Sequence, residues 1–145
     1  MNKREVLYRN RILVQYILYG PDDVYWYEHL CEQGIIPGEN HMLLFVLGSY
    51  GKQVGNPSQL AEYLKALERP SPWMVCAFGA DELPVMEEAV RLGGHCRVGF
   101  ENNLEVKPGI TAADNAELVR STAEIVRKSG NGIADSRAAR RLFPK

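Results

Sequence analysis

The sequence predicts an α/β protein built from four β-α units, with parallel strands and helices packed outside them. Short apolar runs alternate with amphipathic stretches of helical period in the order β-α-β-α-β-α-β-α. The runs at residues 42–47 (MLLFVL) and 73–78 (WMVCAF) are apolar on both faces, as in a covered parallel sheet. Right-handed crossovers then give one parallel sheet.

The first strand is predicted over residues 12–19 (ILVQYILY), ended by Gly20-Pro21. A helix over 23–33 follows, with Val24, Tyr27 and Leu30 at helical spacing and Gly34 as its stop. The second strand, 42–47, ends at Gly48. The second helix, 57–67, starts on a proline and presents Leu60, Tyr63, Leu64 and Leu67. The third strand, 73–78, ends at Gly79. The third helix, 82–92, carries Val85, Met86, Ala89 and Val90, then stops at Gly93-Gly94. The fourth strand is predicted over 95–100 (HCRVGF). The fourth helix, 115–129, has Asp114 as its N-cap and Glu117 at the capping-box position. A short helix over 136–142 closes the order, and no linker or second domain interrupts residues 1–145.

Composition restricts the function classes. The 145 residues can bury a core, and 46% hydrophobic with 24% charged residues is ordinary for a globular protein. With 17 basic and 18 acidic residues the net charge is −1, which gives no reason to expect nucleic acid or an anionic membrane as partner. No apolar run approaches the roughly 20 residues of a membrane span, and the N-terminus has no signal-peptide character. Cys31, Cys76 and Cys96 lack metal-type spacing and read as reduced, buried thiols. A cytoplasmic location is the expectation.

Four β-α units are half of a (β/α)8 barrel. A freestanding doubly wound sheet satisfies the same pattern, and the pattern does not choose between them. Both place ligands at the C-terminal ends of the strands. The polar, glycine-rich loops 48–52, 79–82 and 101–103 fall there.

The fourth strand carries the most chemistry. A period of two puts His95, Arg97, Gly99 and Glu101 on one face. An Arg and a Glu on a buried face need each other, a ligand or a metal. Gly99 leaves room for something to approach. A purely structural Arg97–Glu101 pair accounts for the pattern equally well, and His95 reads as a structural histidine. The loop with Gly48, Ser49, Gly51 and Lys52 could hold a phosphate or carboxylate. Its spacing matches neither a Walker motif nor a dinucleotide fingerprint, so an ordinary βα turn is the plainer reading. The aromatics Tyr16, Tyr19, Tyr25, Trp26 and Tyr27 suggest packing or a subunit interface rather than base stacking. HxH, HExxH, CxxC and GxSxG patterns do not occur.

The run GGHCRVGFENN at residues 93–103, extended by Leu104, resembles the β-keto acid cleavage enzymes, zinc-dependent (β/α)8 barrels. Supporting it in order are residues 45–48 (FVLG), 73–75 (WMV) with Gly79, Leu83-Pro84, and residues 114–119 (DNAELV). The similarity runs from about Gly34 to the C-terminus and implies the C-terminal half of such a barrel. Members transfer an acyl unit, converting a β-keto acid and acetyl-CoA to acetoacetate and a new CoA ester. The resemblance implies Glu101 as a zinc ligand beside two histidines from earlier in the family chain. It implies Arg97 as the group for the substrate carboxylate or for developing negative charge. Asn102 then stands at the position of the family's acid–base aspartate.

The chain departs from the family at several points. Asn102 cannot take up a proton at neutral pH. Ala80 replaces an arginine common after the strand-seven glycine, and Gln15 and Ile17 stand where the first of these strands carries glutamate in the family. The two zinc histidines belong to an N-terminal half, and one glutamate does not make a site that normally has three protein ligands. The expectation is a half-barrel that needs an N-terminal half-barrel or a second copy of itself. The alternative is a non-catalytic half-barrel that self-associates and binds an acyl-CoA or a protein partner. A small doubly wound binding domain is a third option.

Overall fold

The computed structural model describes residues 6–7, 9–10, 12–38, 41–49, 51 and 55–142. Four strands form one parallel sheet in the order β1 (Gln15–Leu18), β2 (Met42–Leu47), β3 (Trp73–Ala77) and β4 (His95–Cys96). The register pairs Gln15 with Met42, Leu43 with Trp73 and Met74 with His95. Helices α1 (Pro21–Glu32), α2 (Gln59–Ala66) and α3 (Glu82–Arg91) are the crossovers, followed by α4 (Asn115–Lys128) and α5 (Ser136–Leu142). The fold is α/β and consistent with part of a (β/α)8 barrel. The sheet is open: among the described residues β1 pairs only with β2, and β4 only with β3.

Alternation along the central strands builds two apolar layers. Leu43, Phe45, Leu47, Val75 and Ala77 join the helical residues Val24, Tyr27, Leu60, Tyr63, Val85, Met86 and Ala89 in the main core. Leu44, Val46 and Cys76 form a smaller cluster with Met74 and Phe78. All six residues of β2 are buried, as its two-faced apolar character predicts. Within the main core Phe45 stacks on Trp73 at 5.4 Å and tilts against Tyr63 at 4.9 Å. The Tyr63 hydroxyl donates to the Val46 carbonyl at 2.8 Å, so this phenol is buried without an unmet donor.

Gly94 is required by packing. A Cβ there would lie 2.2 Å from the Trp73 ring, so the chain enters β4 flush against that indole.

Buried polar groups in the crossovers are satisfied locally. Glu28, on the inner side of α1, accepts from the Glu68 and Arg69 amides at 3.0 and 3.1 Å and pairs with the Arg69 guanidinium. It thereby pins the loop after α2. His41 lies between Tyr27 and Pro37, with ring-nitrogen contacts of 2.7 Å to the Tyr27 hydroxyl and 3.0 Å to the Pro37 carbonyl. A carbonyl can only accept, so Nε2 carries hydrogen. The capping box of α4 forms with its return bond shifted by one residue to Ala113, before the N-cap, while Asp114 accepts from the Glu117 amide at 2.8 Å. Glu117 in turn accepts from the Ala113 amide at 2.7 Å.

Three expectations need correction. The fourth strand ends at Cys96, with one further ladder bond from the Arg97 amide to the Val75 carbonyl at 2.9 Å. Past that the chain turns, because the Asn102 and Asn103 amides both donate to the Gly99 carbonyl. The period of two therefore does not extend to Glu101. The sequence reading also missed a hairpin, β5 (Glu105–Lys107) against β6 (Ile110–Thr111), closed by Gly109 at φ 77°. Its Val106 and Ala112 pack on Leu118 of α4. The first strand is likewise shorter than predicted, at four residues.

Candidate active-site loops

The described groups that could carry chemistry gather at the C-terminal ends of β3 and β4, where a parallel α/β sheet presents its ligands. The loop after β3 runs through Gly79, Ala80 and Asp81 into α3. The loop after β4 holds Gly99 to Glu105. The two are tied together: the Gly79 amide donates to the Asn102 carbonyl at 3.2 Å. Between them lies a hollow of about 360 Å³, lined in part by Ala80, Phe100, Glu101 and Asn102.

Arg97 leaves the sheet beside this hollow. Its guanidinium pairs with the Glu101 carboxylate across the turn and approaches the Cys76 sulfur at 3.7 Å. The sequence reading asked whether this Arg and Glu pair with each other, and they do. Both are accessible, with 38% of the Arg97 side chain and 63% of that of Glu101 exposed. The pair is therefore open to exchange with a solution anion. Cys76 is buried, and burial raises its thiol pKa while Arg97 opposes the rise. Cys96 is pushed up to about 11 by burial alone. Both thiols are neutral at pH 7 and are poor nucleophiles.

Asn102 and Asn103 are buried. The Asn103 amide group donates to the Glu105 carbonyl at 2.6 Å and accepts from the Glu105 amide at 3.0 Å. It also donates to Glu82 Oε2 at 3.3 Å. Glu82, at the start of α3, is 0% exposed. Burial pushes its carboxyl up to about 7, moderated by the hydrogen bond from Asn103. Sequence reasoning passed over Glu82 as a site residue. The signal was present: Glu82, Val85, Met86 and Ala89 share one helical stripe, so the carboxylate sits on the apolar face.

The remaining candidates are not brought into this cluster. Gly48, Ser49 and Gly51 follow β2, two strands from β4, and no described contact links them to Arg97 or Glu101. Gly48 and Gly51 have φ of 79° and 64°, as a tight βα turn requires. Lys52 lies outside the described residues. His95 opens β4 opposite Met74 and is half-buried.

A larger hollow, about 790 Å³, adjoins this cluster, with His95 and Arg97 in its lining. It is an open apolar groove along β4, lined by Met74, Val90, Val98, Val119, Val126 and Ile133 among others.

The model of the β-keto acid cleavage enzyme family matches residues 4–144. The chain belongs to the β-keto acid cleavage enzyme family. It is 32% identical over 99 residues to a 3-keto-5-aminohexanoate cleavage enzyme of Acetoanaerobium sticklandii, a match covering 68% of this chain and 36% of that protein. It is 32% identical over 115 residues to a 3-oxoadipate:acetyl-CoA acetyltransferase of Cupriavidus necator, covering 77% and 40%. A 3,5-dioxohexanoate:acetyl-CoA acetone transferase of Paraburkholderia graminis is 23% identical over 161 residues, covering 98% of this chain and 52% of that protein. The chain thus spans between about a third and a half of the length of these relatives.

The zinc implied by that family does not fit the residues described here on their own. Among them no group of three or more His, Cys, Asp or Glu side chains is arranged to hold a metal ion. Glu101 is engaged by Arg97 instead. No helix of the described residues is long and apolar enough to cross a membrane.

Proposed function

We propose that this chain is the C-terminal half-barrel of a β-keto acid cleavage acyltransferase. The assembled enzyme would convert a β-keto acid and acetyl-CoA to acetoacetate and a new acyl-CoA, in the cytoplasm. The observation that carries this reading is the accessible Arg97–Glu101 pair at the mouth of β4, inside the 93–103 run on which the sequence resemblance rests.

In this reading Arg97 binds the carboxylate of the β-keto acid. A guanidinium offers a planar fork of donors to such a group, and a substrate carboxylate can replace that of Glu101 on it. That exchange frees Glu101 to face the reacting end of the site. Zinc belongs to the proposal only for the completed barrel, where Glu101 would join two histidines of an N-terminal half-barrel. Gly48, Ser49, Gly51 and Lys52 are proposed to meet the CoA moiety from the neighbouring loop.

Residue 102 limits what the chain does by itself. A carboxamide neither takes up nor releases a proton near neutral pH, so Asn102 does not supply the acid–base step. This favours a second reading, in which the half-barrel is non-catalytic, closes against a second copy of itself, and binds an acyl-CoA or a protein partner. Ala80 points the same way.

Mixing the chain with the N-terminal half of a family member tests the proposal, using the wild type and Asn102→Asp. Acetoacetate formation from a β-keto acid and acetyl-CoA should require both halves and should rise with Asn102→Asp. Acyl-CoA binding by a dimer of this chain, without turnover in either mixture, would support the second reading. A monomer that binds neither the half-barrel nor acyl-CoA would overturn both.

A further inference from the structure

The loop that carries Glu101 and Asn102 has no regular secondary structure to hold it. It is fastened by a few hydrogen bonds, and one buried carboxylate accepts one of them. Glu82 is completely enclosed and belongs to the neighbouring β-α unit. Its Oε2 accepts from the Asn103 side chain at 3.3 Å. The Asn103 backbone amide in turn donates to the Gly99 carbonyl at 3.2 Å. That turn encloses Phe100, Glu101 and Asn102. The Asn102 amide closes the turn on Gly99 at 2.9 Å, and the Gly79 amide grips its carbonyl from the side on which Glu82 itself sits. Glu82 Oε1 has no hydrogen-bond partner among the described residues. A buried, half-satisfied carboxylate is costly where an apolar residue would pack at no such cost.

We propose that Glu82 is a positioning residue, which fixes the height and orientation of the loop bearing Glu101 and Asn102 by holding Asn103, whose own amide closes the turn on Gly99. It touches no substrate in this geometry. Its effect reaches the site through Asn103 and the turn that Asn103 closes on Gly99, so the loop stays in place with the Arg97–Glu101 pair open. The catalytic meaning of the device rests on the acyltransferase reading, whereas the anchoring itself does not.

Amide hydrogen exchange on the intact chain reads the anchoring directly. In Glu82→Met, which keeps the volume and removes the acceptors, the Gly79, Asn102 and Asn103 amides should exchange about tenfold faster than in wild type. Amides of β2 should change little. Glu82→Gln keeps an acceptor oxygen and should restore protection at these three positions. Unchanged loop exchange in Glu82→Met, or an equal rise throughout β2 and β3, would overturn the proposal. Should Glu82→Met not fold, Asn103→Ala cuts the same contact from the loop side. It should loosen the same amides, and unaltered protection there would be equally fatal. Loss of loop protection without any turnover in the assembled barrel would indict the acyltransferase reading and leave the anchoring intact.

Discussion

Arg97 and Glu101 pair across the turn at Gly99, after β4 has ended, and both side chains remain open to solvent. The pair is thus held by a loop and presented at the strand mouth, away from the core.

Such an exposed pair contributes little to stability. Arg97→Ala and Glu101→Gln should each shift urea unfolding by less than about 1 kcal/mol. A loss above about 2 kcal/mol would mean that the pair is structural. In an assembled enzyme Arg97→Lys should still lower kcat/KM, because an ammonium cannot present two parallel donors to a carboxylate.

Glu82 should give the chain a distinctive pH dependence. Its carboxyl rises from an ordinary value of 4.5 to about 7 on folding because it is buried. The folded state therefore binds this proton more tightly than the unfolded one. Its contribution is fully present below about pH 4.5 and is lost as pH rises to about 7, by an amount of about 3 kcal/mol. Denaturation at successive pH values should show that decline, and Glu82→Gln should remove it. A variant as pH-dependent as the wild type would rule this out.

Glu28 should be far more sensitive than its surface partner. Removing it leaves the Glu68 and Arg69 amides and the Arg69 guanidinium without their acceptor. Glu28→Ala should cost about 3 kcal/mol or more in thermal unfolding. Arg69→Ala should cost clearly less, since the two backbone donors still satisfy the carboxylate.

Gly94→Ala tests the contact between β4 and Trp73. The added methyl would need the space occupied by the indole, so ring or backbone must shift. A loss of about 1–3 kcal/mol is expected, with a change in tryptophan fluorescence. Unaltered stability and emission would show that the site relaxes freely.

Much of the fold could be read from the residues. Continuous apolar runs bounded by glycine identify β2 and β3 because a strand covered on both faces admits few polar side chains. Period and capping identify α4, whose box forms around Asp114 and Glu117. The hairpin at β5 and β6 was missed because two short strands around Pro108-Gly109 have too few residues for alternation to stand out.

The site was legible as a list of residues and illegible as an arrangement. The sequence by itself determined the parallel β-α order, the family block around Arg97 and Glu101, and the presence of an amide at position 102. Tertiary structure decided that β4 stops at Cys96, that Arg97 meets Glu101 across a turn, and that a buried Glu82 fastens Asn103. The reason is physical. Strand and helix periodicity record which face meets apolar surroundings, and that is a local property of the chain. Where a turn ends a strand, and which distant carboxylate fastens a loop, depend on hydrogen bonds between β-α units. Glu82 and Asn103 lie 21 residues apart in sequence, and only folding brings them together.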